Sequence, residues 1–168
     1  MKRQIIVDIR VISYICIMEK LKFQEIKEFQ PSYLADMNLL LSQLSSSHPQ
    51  MSQQELQSIL SSPNSHLYVL LRNERLIGMA TLCTYLCPTG RKAWIEDVVV
   101  DSAFRGKGFG KLLVNNIINV VNEQGNITLM LTSRPSRIEA NHLYQSLGFE
   151  KRATNVYKMS FDKNVLGT

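Results

Sequence analysis

No stretch of this 168-residue chain approaches the ~18 consecutive apolar residues of a membrane span, so a transmembrane helix is not expected. The apolar opening, with Ile5, Ile6, Val7, Val11, Ile12, Ile15 and Ile17, is broken by Asp8 and Arg10. It leads to no small-residue cleavage pattern, so a signal peptide is not expected either. Cysteine is scarce. Cys16, Cys83 and Cys87 make an odd count with no disulfide framework, which points to a reducing, cytoplasmic compartment. Cys83 and Cys87 lie four apart without a second pair or a neighbouring His, so no metal site is expected and both read as small core-facing residues. Blocks of like charge are missing too. The formal net charge of +5 favours an anionic partner, but there is neither a basic stripe with interleaved aromatics nor a nucleic-acid module. Nucleic acid and membrane are therefore not expected partners.

Apolar residues at 45% and charged residues at 20% suit one globular domain with a single core. Met18 precedes a charged segment that starts a cleaner pattern, so residues 1–17 read as an N-terminal extension whose role is left open, and residues 18–168 as the domain. Lys22 to Ile26 predicts a strand. Pro31 and Ser32 open a helical face of Leu34, Met37, Leu40, Leu41 and Leu44, and Ser52 with Glu55 predicts a capping box for a helix to about Leu60. Leu67 to Leu71 and Leu76 to Tyr85 predict antiparallel strands joined by Asn73-Glu74-Arg75, and Trp94 to Val100 predicts another strand. A helix runs from Gly110 to the stop at Gln124-Gly125-Asn126, followed by a strand, Ile127 to Thr132. Ser136 with Glu139 predicts a second capping box for a helix ending at Gly148, and Asn155 to Phe161 reads as a terminal strand. Strand, helix and strand between Trp94 and Thr132 form a βαβ unit, whose right-handed crossover brings two parallel strands together. The fold class is thus α/β (α+β): a mixed, mostly antiparallel sheet with a central parallel pair and helices on both faces.

The segment Glu96-Asp97-Val98-Val99-Val100-Asp101 is followed by Arg105-Gly106-Lys107-Gly108-Phe109-Gly110-Lys111, which enters a helix directly. Backbone N–H groups at a helix start lack intrahelical partners and sit at the positive end of the dipole; glycines let a phosphate reach them. A triphosphate loop needs GxxxxGK(S/T), but Gly106 to Gly110 is one residue short and Leu112 follows Lys111. A dinucleotide fingerprint needs GxGxxG, and the spacing here is GxGxG.

The loop resembles the pyrophosphate loop of the GNAT superfamily of N-acetyltransferases, (R/Q)-x-x-G-x-(G/A), with Arg105, Gly108 and Gly110 at the defined positions. Asn141-His142-Leu143-Tyr144-Gln145-Ser146-Leu147-Gly148-Phe149 is similar to the family's N-x-x-(F/Y)-Y-x-x-x-G-F, with Leu143 replacing the first aromatic. The resemblance covers Lys22 to Phe161 in element order. It implies acetyl-CoA as donor, with no metal. The pantetheine arm would pair with the backbone of Val98, Val99 and Val100, and the pyrophosphate would sit on the amides of Arg105, Gly106, Lys107, Gly108, Phe109, Gly110 and Lys111. Asn141 and Tyr144 would lie near the thioester.

An amine with pKa near ~10.4 is only about one part in a thousand neutral at pH 7.4, a cost of about 4 kcal/mol unless a base assists. The resemblance offers Glu96 as that base, acting through water, against a plain salt-bridged strand glutamate. It offers Tyr144 as the acid that protonates the leaving thiolate, against a ring that packs and positions the sulfur. A strand amide near Val98 and Val99 would serve the thioester oxygen. Neither Cys83 nor Cys87 has a visible activating His and Asp, so direct transfer in a ternary complex is expected. His142 reads as a surface or packing residue. Acceptor contacts are implied for Ser45 to Gln53 and Thr154 to Tyr157. A basic protein attracts polycations poorly, which favours a small amine; acetylation of protein N-termini or lysines, or an idle acyl-CoA-binding module, are the alternatives. Homodimer formation is left open.

Overall fold

The computed structural model of the protein describes residues 20–44 and 50–161. The expected N-terminal extension and Cys16 lie outside these residues. Five strands, β1 (Leu21–Ile26), β2 (Ser65–Arg72), β3 (Arg75–Cys87), β4 (Gly90–Val100) and β5 (Ile127–Leu131), form one sheet in chain order. The first three pairings are antiparallel and β4–β5 is parallel, as the crossover through the intervening helix requires.

Helices α1 (Pro31–Leu44) and α2 (Gln53–Ser61) cover one face, and α3 (Phe109–Glu123) and α4 (Ile138–Ser146) the other. In α1 Pro31 supplies the preset φ of a first helical position, and Met37, Leu40 and Leu41 recur on one buried stripe. They meet Leu67, Val69, Leu71 and Met79 of the sheet. From the other face Leu113, Val114, Ile117 and Val121 of α3 pack on Tyr68, Leu70, Ile77, Ala80, Leu82, Ala93 and Ile95. With both faces covered, β2 reads as the near-continuous apolar run Leu67 to Leu71. The β2–β3 turn is made by Asn73 and Glu74, both at positive φ (50° and 62°), the backbone twist that a two-residue hairpin favours.

Three expectations are corrected. The capping box at Ser52 and Glu55 forms, but the one at Ser136 and Glu139 does not. A turn closed by Arg137 N–H on the Arg134 carbonyl moves the start of α4 one residue on, so Arg137 takes the cap position and makes no side-chain cap bond. Asn155 to Phe161 is not a strand. Val156, Tyr157, Met159 and Phe161 are at least 75% exposed, and among the described residues nothing pairs with the outer edge of β5, so β propensity there has no ladder to join. Cys83 and Cys87 do not reach the core. Both are partly exposed, the first beside the Ser65 hydroxyl and the second bonded within the β3–β4 turn to Thr89 and Gly90.

Candidate active site

The parallel ladder between β4 and β5 runs from Arg91↔Ile127 to Ile95↔Leu131 and stops there, while β4 continues to Val100 paired only with β3. A cleft opens between the strands beyond Ile95, and the edge of β4 facing it is unpaired. The register also slips at this point. Thr81 pairs with Glu96 and Met79 with Val99, so Asp97 and Val98 together oppose Ala80. Asp97 takes the left-handed conformation (φ 52°) of this bulge, which turns Val98 toward the α3 side and Val99 toward α1. Sequence periodicity gives no sign of a bulge in Trp94 to Val100. Of the three expected pairing residues, Val100 has its carbonyl engaged by Arg105 Nε–H at 2.9 Å.

A 3-10 turn, Ser102–Phe104, carries the chain from β4 to the glycine loop and is capped by the buried Asp101, which accepts from Ala103 N–H and from Arg75 Nη2 (2.9 Å). The three glycines serve different purposes. Gly106 and Gly108 sit at φ 74° and 82° with open space around them, so their need is conformational. Gly110 has an ordinary φ, but a Cβ there would lie 3.2 Å from Leu143 Cδ1; it lets α3 approach α4. Gly108 caps α3 without any side-chain bond, and the first intrahelical bond is Leu112 N–H on its carbonyl. The amides of Phe109, Gly110 and Lys111 therefore precede the helical ladder and are free for an anion.

Charge gathers at this end of the molecule from places the sequence does not connect. Arg72 and Arg75, flanking the β2–β3 turn, and Lys107 in the loop all stand 5.4–5.7 Å from the Phe104 ring. Phe104 in turn lies 6.3 Å from Phe109, the first residue of α3, and Arg75 is ion-paired with Asp101. Cations gathered near free amides at a helix start suit a phosphorylated ligand.

Glu96 follows the last β4–β5 pair and is exposed. Partial burial, reinforced by the neighbouring Asp97 carboxylate, raises its pKa above the ordinary glutamate value. Among the described residues no ion pair engages it. Its register partner Thr81 aligns with Leu67, which places Glu96 on the face of α1 and α2.

Tyr144 lies on the opposite face, 7% exposed, in the cluster beneath α3. The end of α4 fixes it: Gly148 (φ 91°) donates to Gln145 O, Phe149 donates to Tyr144 O, and the Phe149 ring meets the Tyr144 ring edge-on at 6.0 Å. Burial raises the pKa of the phenol, and the charge of Arg137 partly opposes that rise. Asn141, on the same helix, donates its amide to the Arg134 carbonyl and so anchors the loop after β5. His142 is exposed.

Residues the sequence did not single out also meet here. Gln43 accepts from Ser102 N–H (2.8 Å) and Arg105 Nη2 (3.5 Å), and Arg137 donates to Leu44 O across 93 residues (3.2 Å). Ser133 Oγ, two residues past β5, is buried without a protein partner. No sequence signal marks Gln43 or Arg137, because each owes its place to a long-range contact.

Residues 33–149 match the model of the acetyltransferase (GNAT) family. The chain is 29% identical over 102 residues to human N-acetyltransferase 8, covering 60% of this chain and 45% of that protein. It is 34% identical over 82 residues to a ribosomal protein bS18-alanine N-acetyltransferase of Haemophilus influenzae, covering 49% of this chain and 53% of that protein. It thus spans about half the length of these curated relatives. In fold it is similar to an aminoglycoside acetyltransferase from an uncultured soil metagenomic sample, solved with trehalose: TM-score 0.74 over 84% of this chain and 97% of that one, at 19% identity.

Proposed function

The chain belongs to the GNAT acetyltransferase family, and from that premise we propose that it moves the acetyl group of acetyl-CoA to a primary amine, first of all that of a small molecule. The observation that carries this reading is the conjunction of an unpaired β4 edge beyond Ile95 with the uncapped start of α3 and the cations gathered at nearby Phe104. One accommodates a peptide-like arm and the other a pyrophosphate. The coenzyme held there would supply an activated thioester.

The roles of the side chains follow from their surroundings. Glu96, directly or through water, removes the proton that an attacking ammonium must lose. Partial burial and the Asp97 carboxylate raise its pKa toward the operating pH, where a base is more effective. As the C–N bond forms, a backbone N–H of the bulge near Val98 and Val99 donates a hydrogen bond to the thioester oxygen as negative charge develops on it. As the C–S bond breaks, Tyr144, whose phenol burial pushes further up from its ordinary value, gives its proton to the sulfur. No covalent enzyme intermediate is needed. The names of relatives include a protein acetyltransferase and an aminoglycoside acetyltransferase, so protein N-termini stand as the second class of acceptor. Among the described residues no helix is long and apolar enough to cross a membrane. The odd cysteine count without a disulfide framework supports placing the activity in the cytoplasm.

Calorimetric titration with acetyl-CoA, with ATP and NAD as controls, tests the reading. Micromolar binding of acetyl-CoA alone supports it and opens a thiol-release screen of amines and peptides; no binding of acetyl-CoA ends it. With an acceptor in hand, kcat/KM should rise with pH along a limb lying above the ordinary glutamate range. Glu96→Gln should remove that limb, and a limb that persists in the variant would rule out Glu96 as the base.

A further inference from the structure

The cleft has two banks that the chain builds separately. The β4 bank continues into Ser102 and Arg105 of the coenzyme loop, and the β5 bank continues into Arg137 and the helix of Tyr144. Beyond Ile95 and Leu131 no ladder holds the banks together. The end of α1 touches both. Gln43 Oε1 accepts from Ser102 N–H at 2.8 Å and Arg105 Nη2 at 3.5 Å, and the next residue's carbonyl, Leu44 O, accepts from Arg137 Nη2 at 3.2 Å. One helix terminus therefore spans the mouth of the cleft, with Gln43 on the coenzyme side and Leu44 on the side of the acid.

Each contact suits its place. A cation at a helix C-terminus meets carbonyls without intrahelical partners at the negative end of the dipole. Arg137 caps the helix that carries Tyr144, and its charge is felt at the phenol. Arg105 is held by two acceptors, Val100 O and Gln43 Oε1, from two different elements.

We propose that Gln43 and Arg137 are positioning residues of a clasp that couples the coenzyme loop to the helix carrying Tyr144 through the end of α1. The inference rests on the coenzyme reading above. A pyrophosphate on residues 105–111 orders Ser102 and Arg105, so the Gln43 bonds then cost less entropy to hold. The last turn of α1 becomes firmer, and through Leu44 and Arg137 so does the start of α4. By reciprocity, loosening the clasp weakens the coenzyme by the same factor.

Hydrogen exchange with and without coenzyme A, read on peptides across residues 38–44, 96–111 and 136–146 of the full chain, tests this. In the wild type all three regions should slow on adding coenzyme A, the last turn of α1 by about fivefold to tenfold, within the usual range of coupling between sites. Gln43→Ala should keep the slowing at 96–111 and lose it at 38–44. Gln43→Glu, whose carboxylate can accept the same two donors, should restore it. Arg137→Ala should uncouple 136–146 from 38–44 with the loop still protected. A wild type that slows at 96–111 alone, or a Gln43→Ala variant with full slowing in α1, overturns the clasp. If coenzyme A slows nothing at 96–111 in the wild type, the coenzyme reading itself fails and the clasp falls with it.

Discussion

Helices α2 and α3 begin with the same set of amides lacking intrahelical acceptors and dispose of them in opposite ways. At α2 the Ser52 hydroxyl accepts from Glu55 N–H and the Glu55 carboxylate accepts from Ser52 N–H, so the terminus is satisfied within the chain. At α3 the cap is Gly108, which has no side chain to offer its amides, and cations gather at nearby Phe104. A satisfied terminus stabilises the fold and binds nothing. An unsatisfied one forgoes that stability and leaves a seat for an anion.

Closing the open end is the most damaging change this contrast predicts. Gly108→Glu forces a side chain into φ 82° and puts a carboxylate where phosphate should sit; acetyl-CoA affinity by calorimetry should fall at least about 1,000-fold, or ~4 kcal/mol. Tyr144→Phe leaves the open end intact and removes only the proton. Turnover should drop about 100-fold in a thiol-release assay while the acetyl-CoA Kd stays within about twofold, and equal loss of both would refute the division of roles. Gly110→Ala keeps the amides but crowds Leu143, so it should cost about 1 kcal/mol in urea unfolding with coenzyme binding preserved.

Opening the closed end is milder. Ser52→Ala should lower stability by about 1 kcal/mol by the same method and leave kinetics unchanged. The Ser52 bonds lower the pKa of Glu55, so its contribution is complete above the ordinary glutamate pKa and is lost as pH falls through the lower folded value. The Tm gap between wild type and Glu55→Gln should accordingly close in that acid window, and a gap that persists below it would show that the carboxylate charge is not the cause.

Much of this could be read in advance, and the failures have identifiable causes. Ser52-x-x-Glu55 predicted its capping box because the partners are three residues apart in a helix that forms anyway. Ser136-x-x-Glu139 has the same spacing and failed, because the Arg134–Arg137 turn, with Asn141 holding the Arg134 carbonyl, sets where α4 begins. The bulge at Asp97 was invisible, since Val98-Val99-Val100 is apolar in either register. Asn155 to Phe161 alternates like a strand, yet no neighbour pairs with it.

The sequence by itself determined what depends on near neighbours: helix faces, the two-residue hairpin, the glycine loop running into a helix, and the tyrosine ahead of its Gly148 stop. Each is governed by contacts within a few residues, where side-chain chemistry acts directly on the backbone. Only the tertiary structure decided where the β4–β5 ladder ends, which cations gather around Phe104, and that Gln43 and Arg137 meet the cleft from opposite sides. Those features depend on contacts between residues as far as 93 positions apart, and a chain read in order carries no local signal for a contact that packing alone creates.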